Sequence, residues 1–394
     1  MGDAGDPAER VTAYLSANGL PVRDLGRTAN EVHPEGAGTV CGAALYVSAA
    51  VGSVMAGGPS GAPSPVPSIP DVAATVFVHA SHAGPAPARP ESVGREPAWP
   101  ESVGREPWPG EWRRDAWQGD AWQGDAWQLG AWRDSWTRAE HAAAVSAVRE
   151  AIGRGDVYQV NVVGHTSAPY SGDPRAALNR VAALAGARYG GVLAGEGWAI
   201  ATASPETLVE VRAGRVVTRP IKGTRPATEA GRRELLGSAK ERAEHVMIVD
   251  LERNDLARLG GTGAVRVDEL FAVRRWSGLW QAESVVSAPL SAPLDLAGLL
   301  RAVCPGGSVT GAPKLAALAQ IARLEPVGRG ASMGALGWVG TDHVDLGLSI
   351  RTVAVDGARV HLWAGGGITW DSDPAAEVDE AAAKAAPIRA ALAS

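Results

Sequence analysis

The stretch TLVEVRAGRVVTRPIKGTRPAT, residues 207–228, alternates apolar and polar side chains on either side of a central Ala213-Gly214 pair. Alternation with a period of two is typical of a half-buried strand, and a two-residue turn containing glycine joins two strands antiparallel. The stretch therefore predicts a β-hairpin. Short strands also recur at GGVLAG, WAIATA, GALGWVG and LGLSIRTVAVDGARVHLWAGGGI, with helices at about 230–250, 295–303, 312–323 and 374–392. Because hairpins dominate over β-α-β crossovers, we expect an α+β fold of mostly antiparallel sheets with helices packed outside.

The same stretch places Lys222 in a restrained setting. Pro220 and Pro226 stiffen the chain around it, and Gly223 permits close approach of a ligand or another segment. The ordinary interpretation of a lysine in such a turn is a solvated surface charge. The alternative is a nucleophile, which requires that the amine lose its proton. The residues alone leave both open.

Composition limits the class of protein. The chain has 394 residues, 45% of them hydrophobic, and a net charge of −6, which predicts a globular protein without the basic surface of a nucleic-acid binder. Cys41 and Cys304 are too few for a disulfide framework and indicate a reducing compartment. No signal-peptide pattern opens the sequence, and no apolar run reaches the roughly 18 residues of a membrane span. We therefore expect a cytoplasmic protein with no membrane and no nucleic-acid partner.

Composition also divides the chain near residue 136. Residues 1–136 form a shortened, low-complexity and repeat-containing N-terminal region, and 137–394 a regular domain that carries the candidate chemistry. ESVGREP occurs at 91–97 and again at 101–107, and tryptophan recurs every five residues from Trp112 through Trp117, Trp122 and Trp127 to Trp132. A spacing of five matches neither helix nor strand, so these indoles do not share one face of a regular element. A tandem duplication tolerated in a loop is favoured over a stacking surface for a ligand.

Local patterns set the start of the regular domain. TRAE, beginning at Thr137, is a capping box that opens a helix, and Gly153 and Gly155 are expected to end it. VYQVNVV follows as a strand, with Tyr158 and the valines on one face.

Carboxylates and glycines cluster in GGGITWDSDPAAEVDEAAAKAAP, residues 365–387. Asp373 and Pro374 mark the start of a helix, on which Glu377, Glu380 and Lys384 share one face. Such a face is either a salt-bridged surface or a site for a hard cation. The preceding glycines, with exposed N–H groups, favour an anion site beside it.

Two further segments carry charge or glycine. ELLGSAKERAEHVMIVDLERND reads as a helix in which Glu244 is a candidate third oxygen ligand, while Arg253 to Asp255 are expected to end the helix and turn the chain. CPGGSVTGAPK lacks the pattern of a nucleotide-binding P-loop, so we reject nucleotide binding. The eight histidines show no zinc-ligand spacing.

Together these segments resemble the chorismate-utilising enzymes, the family of anthranilate, aminodeoxychorismate, isochorismate and salicylate synthases. The resemblance covers about residues 137–392 and implies that family's fold, with two packed, mostly antiparallel sheets. The matching segments, in the family's order, are GDVYQVN, ASPETLVE, PIKGTRPAT, SAKERAEHVMIVDLERND, PGGSVTGAPK, LGLSIRT and GGGITWDSDPAAEVDE.

Lys222 discriminates within the family. Anthranilate synthases usually have alanine at this position and aminodeoxychorismate synthases lysine. Isochorismate and salicylate synthases have their water-activating lysine where this chain has Gln159. The resemblance thus implies conversion of chorismate and ammonia to 4-amino-4-deoxychorismate, toward 4-aminobenzoate and folate. Anthranilate synthase component I and a non-catalytic chorismate-binding homologue are the alternatives.

The resemblance also assigns roles. It makes Lys222 the nucleophile and Glu206 the general acid, and it implies Mg²⁺ as cofactor and a separate glutamine amidotransferase subunit as the source of ammonia. Two positions depart from the family pattern, Gln281 in place of a histidine and Ser332 in place of an aromatic residue. The implied ligands of Mg²⁺ are Glu244, Glu377 and Glu380, and the implied substrate contacts are Gly223, Thr224, Gln281, Thr310, Arg351, Gly365, Gly366, Gly367 and Lys384.

Overall fold

A computed structural model describes residues 5–26, 39–78, 126–260, 263–276, 279–290 and 293–394. The ESVGREP repeats and Trp112, Trp117 and Trp122 lie outside these residues. The two described tryptophans of the repeat pack on the C-terminal helix. Trp127 stacks on Tyr170 and donates from Nε1 to the carbonyl of Leu392 at 2.7 Å, while Trp132 lies under the guanidinium of Arg389. Both have structural partners within the chain.

The described part of the chain forms nine helices and two sheets. The helices are α1 Pro7–Ala17, α2 Ala49–Met55, α3 Arg138–Gly153, α4 Arg175–Ala182, α5 Glu229–Gly237, α6 Ala239–Gly260, α7 Leu296–Val303, α8 Lys314–Leu324 and α9 Pro374–Ala393. The strands are β1 Val40–Val47, β2 Val72–Val78, β3 Gln128–Leu129, β4 Arg133–Asp134, β5 Gln159–Ser171, β6 Tyr189–Gly195, β7 Trp198–Ser204, β8 Thr207–Arg212, β9 Arg215–Arg219, β10 Ile221–Pro226, β11 Arg266–Trp276, β12 Leu279–Pro289, β13 Gly311–Ala312, β14 Ala335–Val339, β15 Val344–Leu348, β16 Thr352–Val355 and β17 Arg359–Ile368.

The strand pairs are antiparallel throughout the described residues. A nine-stranded sheet has the order β10-β12-β9-β8-β15-β14-β1-β2, with β11 also paired to β12. An eight-stranded sheet has the order β13-β5-β17-β16-β7-β6, with β3 and β4 also paired to β5. The predicted α+β fold with two antiparallel sheets is confirmed.

The hairpin predicted around Ala213-Gly214 forms between β8 and β9. Arg212 pairs with Arg215 across the turn, and Ala213 and Gly214 adopt φ of 50° and 71°. Positive φ at both central residues matches the right-handed twist of the flanking strands. The turn therefore sends β9 back along β8 and delivers the chain to Lys222 on β10.

The largest core lies between the two sheets. Leu208 and Leu346 contribute from one sheet, and Ile200 and Trp363 from the other, all nearly or fully buried. A second core joins α4 and α9 to the outer face of the eight-stranded sheet, and a third joins α3 and α8 to β5. These helices thus cover the outer face of the eight-stranded sheet, as expected for an apolar face that must exclude water.

The helix boundaries differ from the prediction at one important place. The helix predicted to end at Arg253 to Asp255 instead continues as α6 to Gly260, so that prediction is wrong. Asp255 is buried and accepts a 2.6 Å bond from Lys314 Nζ at the start of α8. A buried, paired carboxylate fits the inner face of a helix, whereas the sequence pattern suggested a cap.

The sequence patterns do not predict the short helices α1, α2 and α4. The predicted N-cap at Asp373 of α9 and the predicted capping box of Thr137 and Glu140 are confirmed. Tyr158 precedes β5 and is 67% exposed, so it does not share the buried face of Val160.

The N-terminal region joins the rest of the chain. Strand β1 pairs with β14, with Ala43 opposite Val339 and Val47 opposite Ala335. Leu15 and Leu20 are fully buried and belong to the largest core. The division near residue 136 stays a prediction.

Two histidines form a buried chain of hydrogen bonds that the sequence did not reveal. His165 Nδ1 lies 2.5 Å from Ser135 Oγ, and its Nε2 lies 3.1 Å from His361 Nδ1. His361 Nε2 lies 3.4 Å from Asp356 Oδ2. Burial, with the charges of His361 and Arg359, lowers the pKa of His165 to about 3. Burial also lowers the pKa of His361, so both rings are neutral near pH 7.

The hydrogen-bonded pair His165 and His361 predicts that acid lowers the stability of the fold. Unfolded His165 binds a proton near its ordinary pKa of about 6.5, and folded His165 only near 3, so the unfolded state holds the extra proton between these values. The free energy of unfolding should fall as pH drops through this window, by up to about 1.4 kcal/mol per pH unit. Urea unfolding of wild type and His165→Gln from pH 7 to 4 measures it. The variant should show a shallower slope than wild type. Equal slopes for wild type and His165→Gln would contradict the assignment.

Candidate active site

A β-bulge positions Lys222. The register of β10 against β12 shifts between Lys222 and Thr224, and Gly223 at the bulge has φ of +72°. A Cβ on Gly223 would lie 2.7 Å from Leu235 Cδ1. Glycine is therefore required at position 223 by its backbone conformation and by packing against α5. The group that approaches Gly223 closely is the Leu235 side chain of α5.

His245 on α6 contacts the backbone of β10 at Lys222. Its Nε2 lies 3.1 Å from the carbonyl oxygen of Lys222, and its Nδ1 lies 2.8 Å from Ser284 Oγ. Burial lowers the pKa of His245 to about 4, so the ring is neutral and donates one hydrogen bond. It anchors the backbone from which the Lys222 side chain extends.

The Lys222 amine reaches the glycine-rich loop that follows α7. Lys222 Nζ donates to Ser308 Oγ at 3.3 Å and to the Ser308 carbonyl at 3.4 Å. Ser308 lies in a short 3₁₀ turn, Gly307–Val309, and is 5% exposed. The glycine-rich loop CPGGSVTGAPK, which lacks the P-loop pattern, therefore lines the site around Lys222.

Glu206 is buried near Ser308. It is 4% exposed and accepts a long 3.4 Å contact from the backbone N–H of Ile221. Burial raises the pKa of Glu206, although the charge of Lys222 and the nearby Ser308 hydroxyl oppose the rise. A carboxyl with a raised pKa retains a proton more readily and can donate it.

Arg351 supplies positive charge beside Glu206. Its backbone has φ of 50°, and its carbonyl accepts from the N–H of Ala203 at 3.0 Å. Burial lowers the pKa of its guanidinium, with Glu206 opposing. A side chain held on such a backbone, between β15 and β16, can offer a fixed fork of donors to a carboxylate.

Carboxylates from α6 and α9 meet across the junction of the sheets. Lys240 Nζ lies 3.8 Å from Glu244 Oε1 and 3.8 Å from Glu377 Oε1, so it links the two helices. Lys384 Nζ lies 2.7 Å from Glu380 Oε1 and donates to the Gly365 carbonyl at 3.0 Å.

The pKa values of these carboxyl groups move in different directions. Burial raises the pKa of Glu244, and the nearby Glu377 adds to the rise. Burial also raises the pKa of Glu377, although Ser372 Oγ donates to it at 2.6 Å. Burial works against ionisation of Glu380 too, but the neighbouring lysines, led by Lys384, outweigh it and lower its pKa.

The donor set fits an oxygen-preferring cation. Glu244, Glu377 and Glu380 provide only carboxylate oxygens, the ligands that Mg²⁺ prefers, and their mutual repulsion would be relieved by added positive charge. In the described residues, no three acidic, histidine or cysteine side chains are drawn together as closely as a bound ion requires. Lys240 and Lys384 are the cations now beside these oxygens.

The three glycines of β17 differ in what surrounds them. A Cβ on Gly366 would lie 3.0 Å from Glu377 Oε2, one on Gly365 would lie 2.0 Å from the Val162 carbonyl, and one on Gly367 would lie 2.6 Å from Gln159 Nε2. Gly365 excludes a side chain because a Cβ there would meet backbone, and Gly366 lies close to the carboxylate of Glu377.

The other predicted substrate contacts are less clearly placed. Thr224 is exposed beyond the bulge, and the hydroxyl of Thr310 donates to the carbonyls of Gly306 and Gly307 at 2.9 and 3.3 Å. Gln281 is 1% exposed, and its Oε1 is a buried acceptor without a hydrogen-bond partner in the described part of the chain. Ser332 is fully buried and donates to the Ser349 carbonyl at 3.2 Å.

Sequence reasoning missed Ser308, Lys240 and His245. Lys240 carried a signal, since it precedes Glu244 by four residues on one helix. Ser308 and His245 carried none of comparable strength, because their contacts join segments far apart in the sequence.

A further buried group lies under the loop. Burial and the neighbouring Asp255 raise the pKa of Glu252, while Lys314 opposes the rise. A Cβ on Gly307 would lie 3.0 Å from Glu252 Oε1, so the loop sits directly on this carboxyl.

Comparison with known proteins identifies related chains. The chain is 42% identical to anthranilate synthase component 1 of Streptomyces coelicolor over 252 residues, 62% of this chain and 49% of that protein. It is 38% identical to aminodeoxychorismate synthase component 1 of Klebsiella aerogenes over 255 residues, 63% of this chain and 56% of that protein. The chain thus matches about half the length of these relatives.

The fold has a solved counterpart. The crystal structure of anthranilate synthase component I from Streptococcus pneumoniae superposes with a TM-score of 0.71 and 24% identity, covering 98% of this chain and 86% of that one. No helix among the described residues is long and apolar enough to cross a membrane. The sequence model of the family described as chorismate binding enzyme matches residues 121–390, and the chain belongs to that family.

Proposed function

We propose that the chain is an aminodeoxychorismate synthase component 1 that converts chorismate and ammonia to 4-amino-4-deoxychorismate for 4-aminobenzoate and folate synthesis. One observation carries the proposal: Lys222 Nζ donates to Ser308 Oγ at 3.3 Å, close enough to the buried carboxyl of Glu206 that the charge of Lys222 acts on that carboxyl. An amine beside a buried proton donor suits attack on one carbon of a small ring and departure of a hydroxyl from another. Cys41 and Cys304 form no disulfide with each other, which fits a reducing compartment such as the cytoplasm.

Glu206 protonates the departing hydroxyl. Hydroxide is a poor leaving group, and burial keeps a proton on this carboxyl more readily than on an exposed one. Glu206 is also held at the backbone, where its carbonyl accepts from Leu348 N–H at 3.1 Å. The acid therefore has both the protonation and the fixed position that the step needs.

Lys222 gives the amination its stereochemistry. Replacing a C4 hydroxyl by nitrogen with retention is difficult in one displacement, because nitrogen must enter on the face from which oxygen leaves. Two successive displacements solve this. The Lys222 amine adds at C2 as the C4 hydroxyl departs, and ammonia then adds at C4 and expels the lysine.

Positive charge holds the substrate carboxylates. Arg351, Lys384 and the backbone of Gly365, Gly366 and Gly367 would bind them, with Gly223, Thr224, Thr310 and Gln281 at the margins of the site. Glu244, Glu377 and Glu380 would hold Mg²⁺, which when bound neutralises a substrate carboxylate. The close approach of Gly366 to Glu377 supports this arrangement.

Anthranilate synthase component 1 is the second candidate. The 42% identity to the Streptomyces coelicolor relative favours it. Lys222 weighs against it, because direct attack of ammonia at C2 needs no lysine nucleophile.

Removing Lys222 tests the proposal. Given chorismate and Mg²⁺ without ammonia, wild type should accumulate an adduct of chorismate minus water on the peptide that contains Lys222, visible by mass spectrometry. Lys222→Ala should lose both the adduct and C4 amination, and amination should shift to C2. Lys222→Arg is the control, because it keeps the positive charge but cannot supply a neutral amine. Normal C4 amination by Lys222→Ala would refute the nucleophile.

Removing one carboxylate tests the metal. Glu380→Ala should abolish turnover, as should excess EDTA, and calorimetric Mg²⁺ affinity should fall at least tenfold. The fold should persist, since the Glu380 side chain is 52% exposed. Asp379→Ala is a matched control, an adjacent α9 carboxylate that instead pairs with Arg138. Unchanged Mg²⁺ affinity in Glu380→Ala would remove Glu380 from the metal site.

The chain should depend on another subunit for ammonia. Glutamine hydrolysis needs an activated cysteine, but burial raises the pKa of Cys304, which favours the unreactive thiol. Purified protein should therefore use ammonium and not glutamine, as product chromatography would show. Glutamine-driven amination by the chain alone would overturn this expectation.

A further inference from the structure

Two bulges flank the strand β12. On one side, the register of β10 shifts just after Lys222. On the other side, the register of β11 shifts between Glu269 and Ala272. Ser284 lies in the stretch of β12 that faces the β11 bulge, and it is fully buried. A bulge changes where the groups beside it point, so contacts in this stretch affect the direction of the Lys222 side chain.

Hydrogen bonds to side chains connect one bulge with the other. The backbone N–H of Phe271, within the β11 bulge, donates to Ser284 Oγ at 3.0 Å. Ser284 Oγ lies 2.8 Å from His245 Nδ1, and His245 Nε2 lies 3.1 Å from the carbonyl oxygen of Lys222. Residues of β10, β11, β12 and α6 are thus joined in one line.

The direction of each hydrogen bond follows from what its partners can do. The Lys222 carbonyl only accepts, so Nε2 of the neutral His245 ring carries the hydrogen and Nδ1 is an acceptor. Ser284 supplies the hydrogen to Nδ1 with its hydroxyl, while its oxygen accepts from Phe271. Each donor in the line then meets an acceptor, as buried polar groups require.

The His245 ring is also held by packing. Phe271 lies edge-on against it, with ring centroids 4.9 Å apart. The guanidinium of Arg242, three residues earlier on α6, lies 4.6 Å from the Phe271 centroid. Phe271 has φ of 56°, which is rare for a bulky residue. Contacts with α6 therefore help to keep the β11 bulge in a conformation that Phe271 would not favour by itself.

We propose that Ser284 is a positioning residue for Lys222: it orients His245, and His245 fixes the bulge from which the Lys222 amine reaches Ser308. The inference rests on the proposed function, in which that amine attacks the substrate. Without the Ser284 hydroxyl, Nδ1 would lose its donor and the ring could turn away from the Lys222 carbonyl. A shift of about 1 Å in an attacking group can slow a reaction roughly 10²-fold.

Ser284→Ala removes the hydroxyl and leaves the strand in place, because the backbone N–H of Ser284 donates to the Pro220 carbonyl at 3.1 Å and alanine keeps that bond. Hydrogen–deuterium exchange, read by mass spectrometry, should rise in the peptides that contain Lys222 and Phe271. Ser287→Ala is the matched control, since it removes the hydroxyl of another buried β12 serine, which bonds to an aspartate of β11. The control should leave exchange at Lys222 as in wild type. Unchanged exchange at Lys222 in Ser284→Ala would overturn the proposal.

Reaction rates give the second readout. We would follow adduct formation after rapid mixing with chorismate and Mg²⁺, without ammonia. Ser284→Ala should slow it by roughly 10- to 100-fold at saturating chorismate and change chorismate affinity by less than about threefold, because the nucleophile is displaced and the substrate contacts are not. His245→Leu removes the donor to Lys222, and adding Ser284→Ala to it should cause no further loss. His245→Gln keeps an N–H donor and should retain more of the rate than His245→Leu.

The outcomes distinguish this role from the proposed function. Additive losses in the double variant would show that Ser284 does not act through His245, which overturns the proposal. Adduct formation by Ser284→Ala at the wild-type rate would also overturn it and leave the proposed function intact. A wild-type protein that forms no adduct would instead refute the proposed function, and the exchange measurement would still decide whether Ser284 holds the Lys222 bulge.

Discussion

Most of the site follows from one constraint, the burial of charged groups where the two sheets meet. Glu206 comes from the end of one sheet, Lys222 from a bulge at its edge, and Glu377 from a helix on the other sheet. A buried charge is costly unless it has partners, so each group depends on the others being in place. This explains why the surrounding backbone is so restricted. Gly223, Arg351 and Gly366 each hold a conformation or a contact that few other residues allow.

Local patterns in the sequence predicted local structure well. The Ala213-Gly214 turn, the capping box at Thr137 and the N-cap at Asp373 each depend on a few neighbouring residues, and the structure confirms all three. Turn and cap preferences operate within a few residues, so one sequence suffices to read them.

Contacts between distant segments were not predictable in the same way. The helix α6 passes through Arg253 to Gly260 because Asp255 finds Lys314 about sixty residues later, and nothing near Asp255 signals that partner. Ser308 and His245 gain their importance from Lys222, on a different segment. The resemblance to a family supplied Lys222, Glu206 and the carboxylates as candidates. It did not supply the hydrogen bonds that connect them.

The pairing of β1 with β14 affects when the protein can fold. Val47 lies opposite Ala335 and Ala43 opposite Val339, so the first strand must wait for nearly three hundred residues of synthesis. At roughly 5–20 residues per second that wait is about 15–60 s. Strand β5 pairs with β13 in the glycine-rich loop and with β17, and both of these strands are synthesised later than β5. The nascent chain therefore leaves the ribosome with apolar strand edges still unpaired, and both sheets close only after translation of the last third.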